Sequence, residues 1–428
     1  MSSVPNVRWR QITTLALTAI MVALSVPVFA QTLESITFED AIRRATTNNP
    51  SIQQAATGIL RAEALLQQVR ARLRPSVDAS FTTNVIDPVV SFSGASINPR
   101  VQTVSAATVA IPLLTSVRWA ERAQAGDQVL VSQASAADTR RQIAMATAEA
   151  YLVVIAQRRV LEMNDRSREN AQAHYTYAMQ RFEGGIGSRL NMLRAQQELS
   201  SDEALVEDSQ LSVRRAQEAL GILVAAEGPV DAAAEPTFDI SGTDSLSGLP
   251  MRTDIQFLAA RQSAAERVFA DSWKDRLPSL TALFAPQYLA PTGLFAQPRS
   301  IRFSVALSVP LFDGAERQAK ATERRALLDS VKAERTNVER RATSEVRAAR
   351  EAIRLTERAL ERARLAASQA TEVVSITDVA FREGATTNLE VIDAQRRARD
   401  AGTSAAIAED AARRARLELL VALGRFPQ

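Results

Sequence analysis

The chain carries one phrase twice. Phe182 to Gln196 reads FEGGIGSRLNMLRAQ and Phe381 to Gln395 reads FREGATTNLEVIDAQ. Setting Gly185 on Gly384 places Phe182 on Phe381, Ala195 on Ala394 and Gln196 on Gln395 without a gap. A tandem duplication constrains a fold strongly, because each copy has to be the same supersecondary unit. The 428 residues are therefore expected to form one architecture from two similar halves, 31–226 and 251–428. A Gly/Pro/Ser/Asp-rich linker without periodicity, Glu227 to Pro250, separates them.

Each half has the same plan. The pattern from Thr37 to Leu73 is helical, with Thr37 as N-cap, and Pro75 stops it. The period then changes from 3.6 to 2. Val77, Ala79, Phe81, Thr83 and Val85 alternate with Asp78, Ser80, Thr82 and Asn84, which predicts a strand with one apolar face. A Pro/Gly/Ser loop leads to a second strand, Val101 to Ile111, ended by Pro112, and a long helix follows. The second half repeats this with a helix from Thr253 to Arg276, a strand from Ser279 to Leu289 and a strand from Ser300 to Leu311.

No Pro or Gly interrupts Ala315 to Glu383, which as a helix is a rod of roughly 100 Å at 1.5 Å per residue. Val346, Ile353, Leu360, Ala367, Val374 and Phe381 recur every seven residues along it, with Ala349, Thr356, Ala363, Ala370 and Thr377 between them. That is a coiled-coil seam narrow enough for close helix approach. Glu351 with Arg354 and Glu361 with Arg364 are expected to pair on its outer face. After Gly384, a helix from Thr387 to Leu423 has to return antiparallel, so each half ends in a helical hairpin.

Export is read from the N-terminus. Arg8 and Arg10 precede the apolar run Leu15 to Val26, and Val28-Phe29-Ala30 supplies small residues for cleavage after Ala30. Residues 1–30 are expected to be a secretory signal peptide. The chain has no cysteine and a single histidine, His174, in mid-helix, so the usual zinc ligand sets are missing. No G-x-S-x-G elbow accompanies it, and Gly184 to Gly187 has no preceding strand or following Lys-Ser/Thr. No enzyme, cofactor or metal is expected, and His174 reads as a helix-surface or seam residue. The 51 basic and 48 acidic residues are interleaved to a net charge of +3, the pattern of solvated helix faces, and no nucleic-acid partner is expected.

Four strands pose a closure problem. A membrane sheet has no free edges, and single-chain outer-membrane barrels need at least about eight strands. Strands in a membrane would require several copies to share one barrel, and three copies supply twelve. The competing reading is a soluble periplasmic coiled-coil scaffold or adaptor, which leaves two apolar strand faces wet.

The duplication, the order helix, two strands, long helical hairpin, and the run from Gly384 through Leu389, Val391, Ile392, Ala394 and Gln395 resemble the TolC family of outer-membrane efflux proteins. The resemblance covers about residues 31–424. It implies a homotrimer with a shared twelve-stranded barrel in outer-membrane lipid, above a long periplasmic α-barrel. It also implies an exit duct for substrates delivered by an inner-membrane transporter through a periplasmic adaptor, in a tripartite efflux or type I secretion system. The conduction would be passive.

The resemblance puts the glycine turns at the periplasmic tip. Gly185, Gly187 and Gly384, with Phe182, Phe381 and Thr387, would form the hairpin tips and adaptor contact. Glu390 and Asp393 would ring a gate, six carboxylates in a trimer, and attract cations. The first copy places Asn191 and Arg194 at those offsets, and Arg194 is a candidate partner for an acid that holds the gate closed. Other readings remain open for the same residues. Thr387-x-x-Glu390 is also a capping box, and Asp393 also complements a helix dipole. Phe182 and Phe381 are either seam residues beneath the turns or gating aromatics, and Gly185 and Gly384 are turn residues with positive φ.

Overall fold

The computed structural model describes residues 33–241 and 252–426. The leader assigned to residues 1–30 and the last part of the linker lie outside the described residues. In chain order the elements are β1 (Glu34–Ile36), α1 (Phe38–Asn48), α2 (Pro50–Ala71), β2 (Ser76–Val85), β3 (Ser91–Phe92), β4 (Ala95–Ser96), β5 (Val101–Thr115), α3 (Ser116–Glu183) and α4 (Arg189–Leu223). The second half follows with β6 (Val230–Ala232), α5 (Thr253–Ala270), β7 (Ser279–Ala290), β8 (Arg299–Ser308), α6 (Glu316–Arg382) and α7 (Asn388–Ala422).

Two rods dominate, α3 with 68 residues and α6 with 67, each roughly 100 Å long. Each packs on a shorter helix near the sheet, α3 on α2 and α6 on α5, and on its hairpin partner toward the far end, α3 on α4 and α6 on α7. The heptad reading of α6 holds along its length. Val346, Ala349, Ile353 and Phe381 are buried, and Leu360, Ala363, Ala367, Ala370, Val374 and Thr377 are half-buried between exposed neighbours. Glu351 and Arg354 form the expected ion pair. The pairing of Glu361 with Arg364 is corrected: Arg364 instead crosses the hairpin to Glu409 at 3.1 Å, where a half-buried carboxylate shared with Arg159 and Arg413 offers more than an exposed neighbour does.

Several boundaries differ from the sequence reading. The helix expected from Thr37 to Leu73 is broken at Asn49, because Pro50 pushes the preceding residue into extended conformation (φ −61°, ψ 132°). Asn49 then caps the new helix by accepting from Ser51 N at 2.9 Å. The helix from Thr253 ends at Ala270, and Asp271–Arg276 is a 3-10 turn. β5 does not stop at Pro112 but continues to Thr115, with a register shift between Pro112 and Leu114 that absorbs the missing N–H. β8 ends at Ser308, short of Leu311, ahead of Pro310.

The linker also contains structure. β6, inside 227–250, pairs in parallel with β1 and ties the start of the described chain to its middle. Beneath this pair lies the main core, with Tyr151, Leu152, Ile155, Leu220, Val230 and Ala232 essentially inaccessible. Full burial of each large aliphatic side chain there stabilises the fold by ~1.5–3 kcal/mol. The Tyr151 hydroxyl donates to Ala234 O at 2.8 Å, so its polar end is satisfied inside the core.

The four long strands form one sheet in the order β2-β5-β7-β8, all neighbours antiparallel, so the two repeats meet at β5 and β7. The cross-strand row Val77–Val109–Phe284–Phe303 is apolar on every strand, while Ser76–Ala110–Leu283–Ser304 lies on the opposite face. Phe81 is 80% exposed and Phe303 70%, and among the described residues the edge strands β2 and β8 have no partner on their outer sides. No described helix is long and apolar enough to cross a membrane.

Candidate gate at the hairpin tips

Both hairpins turn through a glycine in the left-handed region. After α3, Gly185 has φ +74°, and Gly187 N donates to Arg181 O at 2.8 Å. After α6, Gly384 has φ +76°, and Ala385 N reaches back to Ala380 O at 2.7 Å. Such a geometry closes the last free carbonyls of a helix, and glycine adopts it without Cβ strain. Gly187 has a second reason to be glycine, since a Cβ there would meet Phe182 N at 2.7 Å. Ser188 caps α4 by accepting from Leu190 N at 3.2 Å. Thr387 caps α7 in a capping box: Glu390 N donates to Thr387 Oγ1 at 3.4 Å and Thr387 N to Glu390 Oε2 at 3.5 Å.

Glu390 is thus a cap, and it is also exposed at the tip. Asp393, one turn on, is exposed and pairs with Arg397 at 2.9 Å, so its charge is partly compensated within its own helix. Arg194 is exposed and pairs with no acid among the described residues of its own chain. It lines a cleft of about 580 Å³ between the two tips together with Ile186, Gly187, Asn191, Thr387 and Leu389. The two phenylalanines part company. Phe381 is 8% exposed and packs on His174 and Tyr177, with centroids 5.2 and 5.8 Å away, as a seam residue does. Phe182, at the same place in the first repeat, is 39% exposed and has no aromatic ring contact among the described residues.

The hairpins are tied by His174, read from the sequence as a helix-surface or seam residue, and by four charged residues that the sequence reading passed over. His174 is buried, and its Nε2 lies 2.5 Å from Asn388 Oδ1. Asn388 Nδ2 donates to Asn191 O at 3.3 Å, which orients the amide and leaves the imidazole Nε2 as donor to Oδ1. Burial pushes His174 below the usual imidazole range, opposed by the Asn388 bond and the Asp378 carboxylate. Two to three turns further from the tip, Glu198 and Asp202 of α4 are 3% and 2% exposed. Arg396 of α7 donates from Nε to both Glu198 oxygens at 2.8 Å, and Arg399 Nη1 to Asp202 Oδ1 at 2.6 Å. Ser167 of α3 adds a bond to Asp202 Oδ2 at 2.8 Å. A carboxylate at Asp202, in the seam series Ala195, Leu199, Asp202, Val206, was the available signal; its arginine partner, far off in the chain, was not.

The two equivalent hairpins are tied at their tips by buried polar contacts and continue from a sheet whose edges are unpaired among the described residues. The family profile of outer membrane efflux proteins matches residues 41–225 and 249–425, one stretch in each half. The chain belongs to the outer membrane efflux protein family. Its fold matches solved structures of such channels over nearly its whole length. The Campylobacter jejuni CmeC outer membrane channel is 14% identical with a TM-score of 0.79, covering 91% of this chain and 85% of that one. The Neisseria gonorrhoeae MtrE outer membrane channel, in its open state, is 17% identical with a TM-score of 0.75, covering 91% and 90%. A membrane protein from Pseudomonas aeruginosa is 21% identical with a TM-score of 0.79, covering 91% of each chain. No curated protein matches this efflux-family chain.

Proposed function

We propose that three copies of this chain share one twelve-stranded barrel in the outer membrane, with their hairpins forming a periplasmic α-barrel beneath it. The duct conducts substrates passively, from a periplasmic adaptor and an inner-membrane transporter to the exterior. The observation that carries this reading is the four-stranded sheet with both edges open and an apolar face at Val77, Phe81, Ile301 and Phe303. Such a sheet is untenable in lipid unless other copies close it. A soluble scaffold gives no account of that face. On this reading residues 1–30 direct export and are removed after Ala30.

Three chains would bring six carboxylates, Glu390 and Asp393, to the periplasmic opening, making it cation-selective. The same tips, with Gly185, Gly187 and Gly384, meet the adaptor on this reading. The deciding experiment is envelope fractionation followed by native mass in detergent. A trimer in the outer-membrane fraction is expected; a monomer or dimer freed by osmotic shock without detergent would overturn the reading. Replacing Glu390 and Asp393 by Gln and Asn is expected to reduce cation selectivity of the reconstituted channel.

A further inference from the structure

The duplication allows the contact between neighbouring chains to be derived from one already inside the chain. Hairpin two docks on hairpin one by laying α7, and the end of α6, on α3. The contacts are specific: His174 with Asn388, Arg159 with Glu409 at 2.6 Å, Phe381 on His174 and Tyr177, and Gly402 so close to Met163 that a Cβ would come within 3.2 Å of its sulfur. The receiving face of α3 is occupied. The face of α6 that corresponds to it, and the face of α4 that corresponds to the docking face of α7, are both uncovered among the described residues.

The offset that carries Gly185 onto Gly384 converts each contact into a partner pair. Tyr177 and His174 become Ile376 and Val373; Met163 becomes Arg362; Arg159 becomes Arg358. On the other side Phe381 becomes Phe182, Gly402 becomes Glu203, and Glu409 becomes Gln210, one turn beyond Glu207. All of these mapped positions are exposed. Val373 and Ile376 are bare apolar residues on a helix surface, and Phe182 is the tip aromatic left exposed where its repeat mate Phe381 is buried. Glu203 and Glu207 stand one turn apart, as do Arg358 and Arg362, and none of the four makes an ion pair among the described residues.

We infer that these two faces are one interface: α4 of each chain docks on α6 of the next. Phe182 packs on Val373 and Ile376, and Glu203 and Glu207 lie against Arg362 and Arg358. The occupant is a second copy of this chain, because the apolar patch and the Glu203–Arg362 pair fall at the positions the internal contact dictates, with Glu207 and Arg358 one turn on in the antiparallel register. The two faces differ, so the contact is head-to-tail, and it closes into a ring when the rotation per copy allows it. The inference rests on the trimeric reading and adds to it the surface that makes the trimer.

The chain has no cysteine, so a pair introduced as Glu203→Cys with Arg362→Cys reports the interface without background. The positions mirror Gly402 and Met163, where the helices approach most closely. Oxidation of the purified protein is expected to convert monomer on denaturing gels into covalent dimer and trimer, reversed by reductant. A trimer by native mass that yields no such bands would overturn this interface while leaving the trimer itself intact; a monomer by native mass would overturn both. In the otherwise native chain, Arg358→Glu with Arg362→Glu is expected to lose the trimer in native mass, and adding Glu203→Arg and Glu207→Arg to restore it. Trimer retained by the first variant would overturn the charge pairing.

Discussion

Gly384 and Gly187 are both turn glycines, yet alanine should affect them differently. A Cβ on Gly384 meets nothing within 4 Å, so Gly384→Ala bears only the strain of φ +76°, about 1 kcal/mol. A Cβ on Gly187 runs into the Phe182 backbone, and Gly187→Ala has to open the turn. Hydrogen exchange at the tip amides is expected to rise modestly in the first variant and strongly in the second; equal effects would refute the distinction. His174 supplies a pH dependence at the same place. Its folded pKa lies below the unfolded value near 6.5, so the unfolded chain takes up the proton first. The tip contact is therefore fully stable above about pH 6.5 and weakens as pH falls through that value toward the folded pKa. Exchange protection around Asn388 is expected to drop between pH 7.5 and 5.5, and His174→Gln to flatten that response. A flat profile in the unaltered protein would remove His174 from the account.

Among elements, the pairing of α4 with α7 through Glu198, Asp202, Arg396 and Arg399 is the most exacting contact. Burying charge is tolerable only when every partner is present. Arg399→Ala strands the Asp202 carboxylate, 2% exposed, and is expected to destabilise the hairpin pair by roughly 3 kcal/mol. Replacing both members, Asp202→Leu with Arg399→Leu, should cost less than the single change, and chemical denaturation of the two variants decides it. Helix lengths were legible in the sequence because proline and glycine are missing over long runs, and the seam of α6 because its period is regular. The clamp was not, since Arg396 and Glu198 are 198 residues apart and no local pattern links them. The break at Asn49 escaped for a different reason: apolar periodicity continues across Pro50, so the period conceals what the proline does. β1 and β6, three residues each, are too short to show any period.

At the scale of the whole molecule, the strands establish the direction of the membrane, and alternation was enough to locate them. What alternation missed was extent, because β5 runs through Pro112 by means of a bulge that only pairing with β7 reveals. The sheet also offers the sharpest test of its setting. Phe303 and Ser304 are sequence neighbours on β8, yet Phe303 belongs to the apolar row with Phe284 and Val109, and Ser304 to the opposite row with Leu283 and Ala110. If the apolar row meets lipid, Phe303→Arg places a charge in hydrocarbon at a cost of about 2–4 kcal/mol near the midplane, whereas Ser304→Arg faces the water-filled interior beside Arg302. Phe303→Arg is expected to reduce the trimer recovered from the outer membrane severalfold and Ser304→Arg to leave it near normal. A soluble scaffold has water on both sides of this sheet and would tolerate both substitutions alike, so equal recovery would argue against the barrel. The reverse order would turn the sheet inside out.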